Sequence, residues 1–94
     1  MLDKRVNELM AQRYVQALGK AITIRRKRKR LTIGELAAKS GLDAAAIERW
    51  EQGLLDDMTL FDTYFLSKAL ECGVKSFFSD GEESLGYNGG FKHG

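Results

Sequence analysis

The stretch Leu36-Ala37-Ala38-Lys39-Ser40-Gly41-Leu42-Asp43-Ala44-Ala45-Ala46-Ile47-Glu48-Arg49-Trp50-Glu51-Gln52-Gly53 decides how this chain folds. Two short helices that cross steeply need a small residue where their backbones approach, and Ala37 stands there. Four residues later Gly41 offers the positive φ that a tight helix-ending turn requires. The second helix must turn apolar side chains toward the first, and Leu42, Ile47 and Trp50 recur at suitable spacing. Each feature alone is weak. Together, in register, they specify a helix-turn-helix over 33–52.

The flanking residues extend the pattern in both directions. Thr32-Ile33-Gly34-Glu35 reads as a capping box, opening a helix that runs to about Lys39. Asp43 is a good N-cap for the next helix, through about Glu51, and Ala44-Ala45-Ala46 favour helix intrinsically. After a loop from Gly53 to Met58, Thr59-Leu60-Phe61-Asp62 repeats the capping-box logic. It opens a fourth helix to about Glu71 whose inner face reads as Leu60, Thr63/Tyr64, Leu66/Ser67 and Leu70. Val74 to Phe78 predicts a short fifth helix returning Phe77 and Phe78 to the core. Upstream, Leu2, Val6, Leu9, Met10, Tyr14, Ala17, Leu18 and Ile22 keep a helical period, and Gly19 interrupts it. The expected organisation is therefore an N-terminal helical extension (1–17), a domain of 18–78, and a tail of 79–94. The domain's first helix runs from about Gln12 or Leu18 to Lys29. The tail is acidic, then glycine-rich, and reads as flexible. The fold class is all-α.

Ninety-four residues support one modest core. No apolar run approaches the ~18 residues of a membrane span, and Met1 to Met10 carries Asp3, Lys4, Arg5 and Glu8 rather than a signal peptide's apolar stretch. A single Cys72 excludes an internal disulfide and suits a reducing cytoplasm. One Cys and one His, His93, cannot make a four-ligand zinc site, and the reading carries no metal or cofactor. Nor is a nucleophile–base pair or a phosphate-cradling glycine loop visible, so an enzyme is the least expected class.

Net charge is +2, but its distribution is lopsided. Residues 1–30 hold ten Lys/Arg against two acids, giving +8; residues 31–94 hold five against eleven, giving −6. That split argues for a polyanionic partner of the basic half. Arg25-Arg26-Lys27-Arg28-Lys29-Arg30 is six cations in a row, more than a helix C-terminus needs for its dipole, and it reads as phosphate contact.

Several motifs resemble the Xre/Cro phage-repressor-like family: Leu18-Gly19, Leu31-Thr32, Glu35-Leu36-Ala37, Ile47 to Gly53, the helix from Thr59-Leu60, and Phe77-Phe78. The resemblance covers roughly Leu18 to Phe78. It implies a compact five-helix, lambda-repressor-like domain whose third helix enters the major groove, commonly as a dimer on a two-fold operator. It also implies a structural pair between Arg26 and Glu51. Where such proteins often place a DNA-contacting glutamine, this chain has Ile33, following Thr32. The first turn of the recognition helix is Asp43-Ala44-Ala45-Ala46, in which alanine can touch only a thymine methyl and Asp43 would accept from cytosine or repel phosphate.

Two functions follow as expectations. The first is a sequence-specific DNA-binding transcriptional regulator, dimeric and cytoplasmic, on double-stranded DNA. In it Ala44, Ala45, Ala46 and Arg49 face bases, and Lys39, Arg28 and Arg30 contact phosphates, with Thr32, Ile33 and Asp43 completing the DNA-facing set. The alternative is a protein-binding helix-turn-helix module, antiactivator or antitoxin-like, acting on a partner protein. Trp50 reads as core, Cys72 as a small buried residue, and Asp56-Asp57 as a solvated loop. Phe61, Tyr64 and Phe65 exceed what one buried face needs, so part of that helix reads as a subunit interface.

Overall fold

A computed structural model describes residues 4–77 and 79. It consists of α1 (Lys4–Arg28), α2 (Ile33–Ser40), α3 (Ala44–Glu51) and α4 (Leu60–Ala69), with residues 74–77 forming a further helical turn, α5. The described residues are helical with short connections and contain no strand. Their core is Leu18 and Ile22 from α1, Leu36 from α2, Ile47 and Trp50 from α3, and Leu66, Ala69, Leu70 and Phe77 from the C-terminal half. None of these helices is long and apolar enough to cross a membrane. Of the tail expected over 79–94, all but Ser79 lies outside the described residues, as does Phe78, expected to return to the core.

The helix-turn-helix forms for local reasons that the residues announce. Thr32 is in extended conformation; its hydroxyl accepts from the Glu35 amide at 3.0 Å, and Glu35 accepts from the Thr32 amide at 2.8 Å. Gly41 ends α2 at φ 76°, donating its amide to Ala37 O at 2.8 Å. Asp43 then caps α3, accepting from the Ala46 amide at 3.0 Å. At α4, Thr59 and Asp62 repeat the reciprocal cap at 2.9 and 3.1 Å.

Gly19 does not divide the chain. α1 is one helix of 25 residues, about 37 Å long at ~1.5 Å per residue, so the expected extension is continuous with the domain's first helix. Gly19 is buried because α3 ends against it: a Cβ there would lie 2.4 Å from Trp50 O and 3.0 Å from the Gly53 amide. The residue's role is close approach, not interruption. Ahead of it, Lys4 to Leu9 stand in solvent, and full burial begins at Ala17.

Three helices end in the same way. The amide two residues past the last helical one bonds three residues back, and the next amide five residues back, with a left-handed residue between. In α1 these bonds are Arg30 to Lys27 O (2.9 Å) and Leu31 to Arg26 O (3.1 Å); in α3, Gly53 to Trp50 O and Leu54 to Arg49 O; in α4, Glu71 to Lys68 O and Cys72 to Ser67 O. Gly53 takes the left-handed conformation without strain, whereas Arg30 and Glu71 hold it at φ 58° each. This motif stops α4 at Ala69, two residues before the expected end. Cys72 is half-buried against the core rather than enclosed.

The inward face of α4 differs from the expected one. Thr63, Leu66, Ser67, Ala69 and Leu70 are buried, while Leu60 and Tyr64 join Phe61 and Phe65 outside. The Thr63 and Ser67 hydroxyls donate to Thr59 O (3.1 Å) and Tyr64 O (2.7 Å), which satisfies them inside the protein. Small residues on this side let α4 lie close to the core, and the large side chains are left on the other.

Candidate functional site

The outward face of α3 is Ala45, Glu48, Arg49 and Gln52, at the i, i+3, i+4, i+7 spacing of a single helical stripe, and all four are exposed. Ala44 and Ala46 are half-buried, and Ala46 packs against the core. The three alanines expected to share one reading surface are thus split. Asp43 is exposed, but one of its oxygens is engaged by the Ala46 amide.

Besides the core contacts of Ile47 and Trp50, an enclosed ion pair holds α3 in place. Arg26 meets Glu51 side-on, with Nε to Oε2 at 2.6 Å and Nη2 to Oε1 at 3.0 Å; Nη1 donates to Leu31 O at 2.8 Å. Both side chains are nearly enclosed, at 12% and 9% exposure. The hydrogen bond to Glu51 raises the Arg26 pKa above its ordinary value, opposed by burial. One pair therefore ties the end of α1, the end of the α1–α2 turn and the end of α3 together.

A second tie escaped the sequence reading. Asp57, expected in a solvated loop, accepts from Trp50 Nε1 at 2.9 Å and from Arg49 Nη2 at 2.5 Å. The indole hydrogen bond first, and the Arg49 contact second, hold its carboxyl below the ordinary carboxylate range. Trp50 is buried as expected, with its polar tip turned to this loop. Arg49, expected to face bases, is fixed along the α3 surface by an acid. A buried indole N–H needs an acceptor, and that need was the available clue.

The cations at the end of α1 are mostly outward. Lys27, Arg28, Lys29 and Arg30 are exposed, and Arg25 and Arg26 are half-buried. Lys29 Nζ lies 2.6 Å from Glu71 Oε1, and Lys39 Nζ lies 3.8 Å from Glu71 Oε2. Glu71 therefore gathers cations from the α1–α2 turn and the end of α2, and its pKa falls, chiefly through Lys29 and then Lys39. Its part was not foreseen, because the pairing spans 42 and 32 residues. Thr32 is exposed and committed to its cap, and Ile33 is half-buried against the core.

The arrangement offers two exposed features, the α3 stripe and the α1 cation run, joined through Arg26 and Glu51. Among the described residues, no three His, Cys, Asp or Glu side chains gather where a metal ion could sit. No protein family model matches the sequence, and no curated protein matches it either.

Proposed function

We propose that the chain is a DNA-binding transcriptional regulator of the Xre/Cro type, with α3 laid in the major groove and the end of α1 on the phosphate backbone. The observation that carries this reading is the exposed run Lys27 to Arg30, directly ahead of a capped helix-turn-helix. Arg28 and Arg30 supply phosphate contact, and Ala45, Arg49 and Gln52 supply the base-facing surface. Alanine contributes only apolar contact with a thymine methyl, so hydrogen-bonded readout falls to Arg49 and Gln52. The Asp57 contact supports a positioning role for the loop, since an arginine restrained by a carboxylate loses less freedom on binding. With so small a repertoire, affinity rests mainly on phosphate neutralisation and is steeply salt-dependent.

Selection of binding sites from random duplex DNA, followed by gel shifts over a salt series, tests the reading. An enriched sequence is expected. Arg28→Ala weakens all sequences alike and lowers the salt slope by about one, whereas Arg49→Ala relaxes preference at particular positions. Absence of any shift at low salt overturns it.

A second reading, a helix-turn-helix that docks a partner protein, draws on Glu48 within the α3 stripe and on the neutralisation of Arg49 by Asp57. It predicts non-specific DNA binding only, together with a protein complex that survives Arg49→Ala.

A further inference from the structure

We propose that the acidic segment Asp80-Gly81-Glu82-Glu83, outside the described residues, docks on the cation run at the end of α1 and competes there with phosphate. The contact itself does not depend on the DNA reading; its effect on DNA affinity rests on that reading. Lys27, Arg28 and Arg30 are exposed, and among the described residues no carboxylate pairs with them. Three acids of this region are committed elsewhere: Glu51 to Arg26, Glu35 to the Thr32 amide, and Glu71 to Lys29 and Lys39. Even with Glu71 in place the face stays positive, because it stands alone against Lys27, Arg28, Lys29, Arg30 and Lys39.

The fold delivers the segment to this place. Glu71 follows α4, and its 2.6 Å contact with Lys29 fixes that point of the chain on the cation face. Phe77, buried in the core, fixes the next. Three of the six steps between them are wound into α5 at ~1.5 Å each, so the two lie at most ~15 Å apart. Six further residues carry Glu83 up to ~20 Å from Phe77, which is enough to return.

Charge selects this pairing over others. Residues 80–94 hold three acids, all within 80–83, against Lys92 alone. The remaining exposed cations are scattered: Lys4, Arg5, Arg13 and Lys20 are spread along α1 with Glu8 among them, and Lys68 and Lys75 stand apart on α4 and α5. A single exposed ion pair contributes little, but a short tether makes the contact intramolecular and raises the effective concentration to the millimolar range. Carboxylates held there occupy cations that phosphates would otherwise take, so duplex affinity falls and its salt slope flattens.

Carbodiimide coupling on the full chain, read by peptide mass spectrometry of the monomer band, tests the contact without DNA. Amide cross-links from Glu82 or Glu83 to Lys27 or Lys29 are expected at low salt, fading by about 0.5 M salt as screening shortens. Gel shifts with one random-sequence duplex read the consequence. Glu82→Gln/Glu83→Gln should bind about three- to tenfold more tightly at low salt, the gap closing at high salt. Glu8→Lys, an equal change of charge placed ~28 Å along α1 from Lys27, should gain much less. Cross-links that are absent, or spread evenly over Lys68 and Lys75, overturn the proposal, as does a gain that Glu8→Lys matches. If neither chain binds DNA at any salt, the DNA reading falls, and the cross-links alone uphold or overturn the contact.

Discussion

Gly19 of α1 and the Trp50 carbonyl of α3 approach so closely that a Cβ on Gly19 would sit 2.4 Å from that oxygen. The two helices touch through backbone, and no side-chain rotation can relieve an added atom. Gly19→Ala therefore sets two effects against each other. Alanine gains about 1 kcal/mol as a helix former, and forcing the helices apart costs about 3 kcal/mol by overpacking. The expected net result is a loss of about 2 kcal/mol in urea unfolding. An alanine variant as stable as the parent would mean that this crossing is loose.

The Arg26–Glu51 pair invites a double-mutant cycle. Removing either partner leaves an enclosed charge, so Arg26→Met or Glu51→Leu alone should destabilise by about 3 kcal/mol. Both together should recover much of that loss, because two apolar side chains of similar volume need no solvation. Additive losses would show that each residue acts through packing and not through the pair.

Acid should loosen the Asp57 tie. Its carboxyl titrates below the ordinary value of 3.8 in the folded protein, so its contribution is fully present above that pH and fades as pH falls through the depressed value. Glu71 behaves likewise from its ordinary value of 4.5. Melting temperature should fall between about pH 5 and pH 3, and less steeply in Asp57→Asn. A parallel pH dependence in that variant would remove Asp57 from the account.

The left-handed residues Arg30 and Glu71 separate stability from charge. Glycine adopts this conformation without a Cβ clash that costs a side-chain-bearing residue about 1–2 kcal/mol. Allowing for glycine's looser unfolded chain, Arg30→Gly and Glu71→Gly should each stabilise by about 0.5–1 kcal/mol. Their effects on binding should oppose: on a heparin column Arg30→Gly elutes earlier, and Glu71→Gly, which releases Lys29 and Lys39, elutes later. Equal shifts would show that Glu71 does not restrain those lysines.

The features legible in sequence were those set by chemistry within about four residues. Thr32 with Glu35, Gly41, Asp43, and Thr59 with Asp62 each perform the expected local task, and Ile47 and Trp50 turn inward as their period requires. Failures came where distant backbone decides. A glycine inside a helical pattern looks the same whether it breaks the helix or lets another pass, and only the arrival of α3 distinguishes the two at Gly19. In α4, large apolar and aromatic residues stand on the outward side as well, so the period points to Leu60 and Tyr64 as inward when they are exposed. Of the candidate interface, the α1 cation run was plain because it is contiguous. The neutralisation of Arg49 by Asp57 and of Lys29 by Glu71 depends on side chains brought together from separate elements.

Trp50 is the chain's single tryptophan, and its ring is enclosed while its N–H rests on Asp57. The molecule thus carries an intrinsic fluorophore beneath the helix proposed to read DNA. Its emission should be blue-shifted in the native state and move to the red on unfolding. Because the indole shares its acceptor with Arg49, a ligand that draws Arg49 away should also perturb the spectrum. Engagement of the α3 surface would then be visible in a cuvette, without a label.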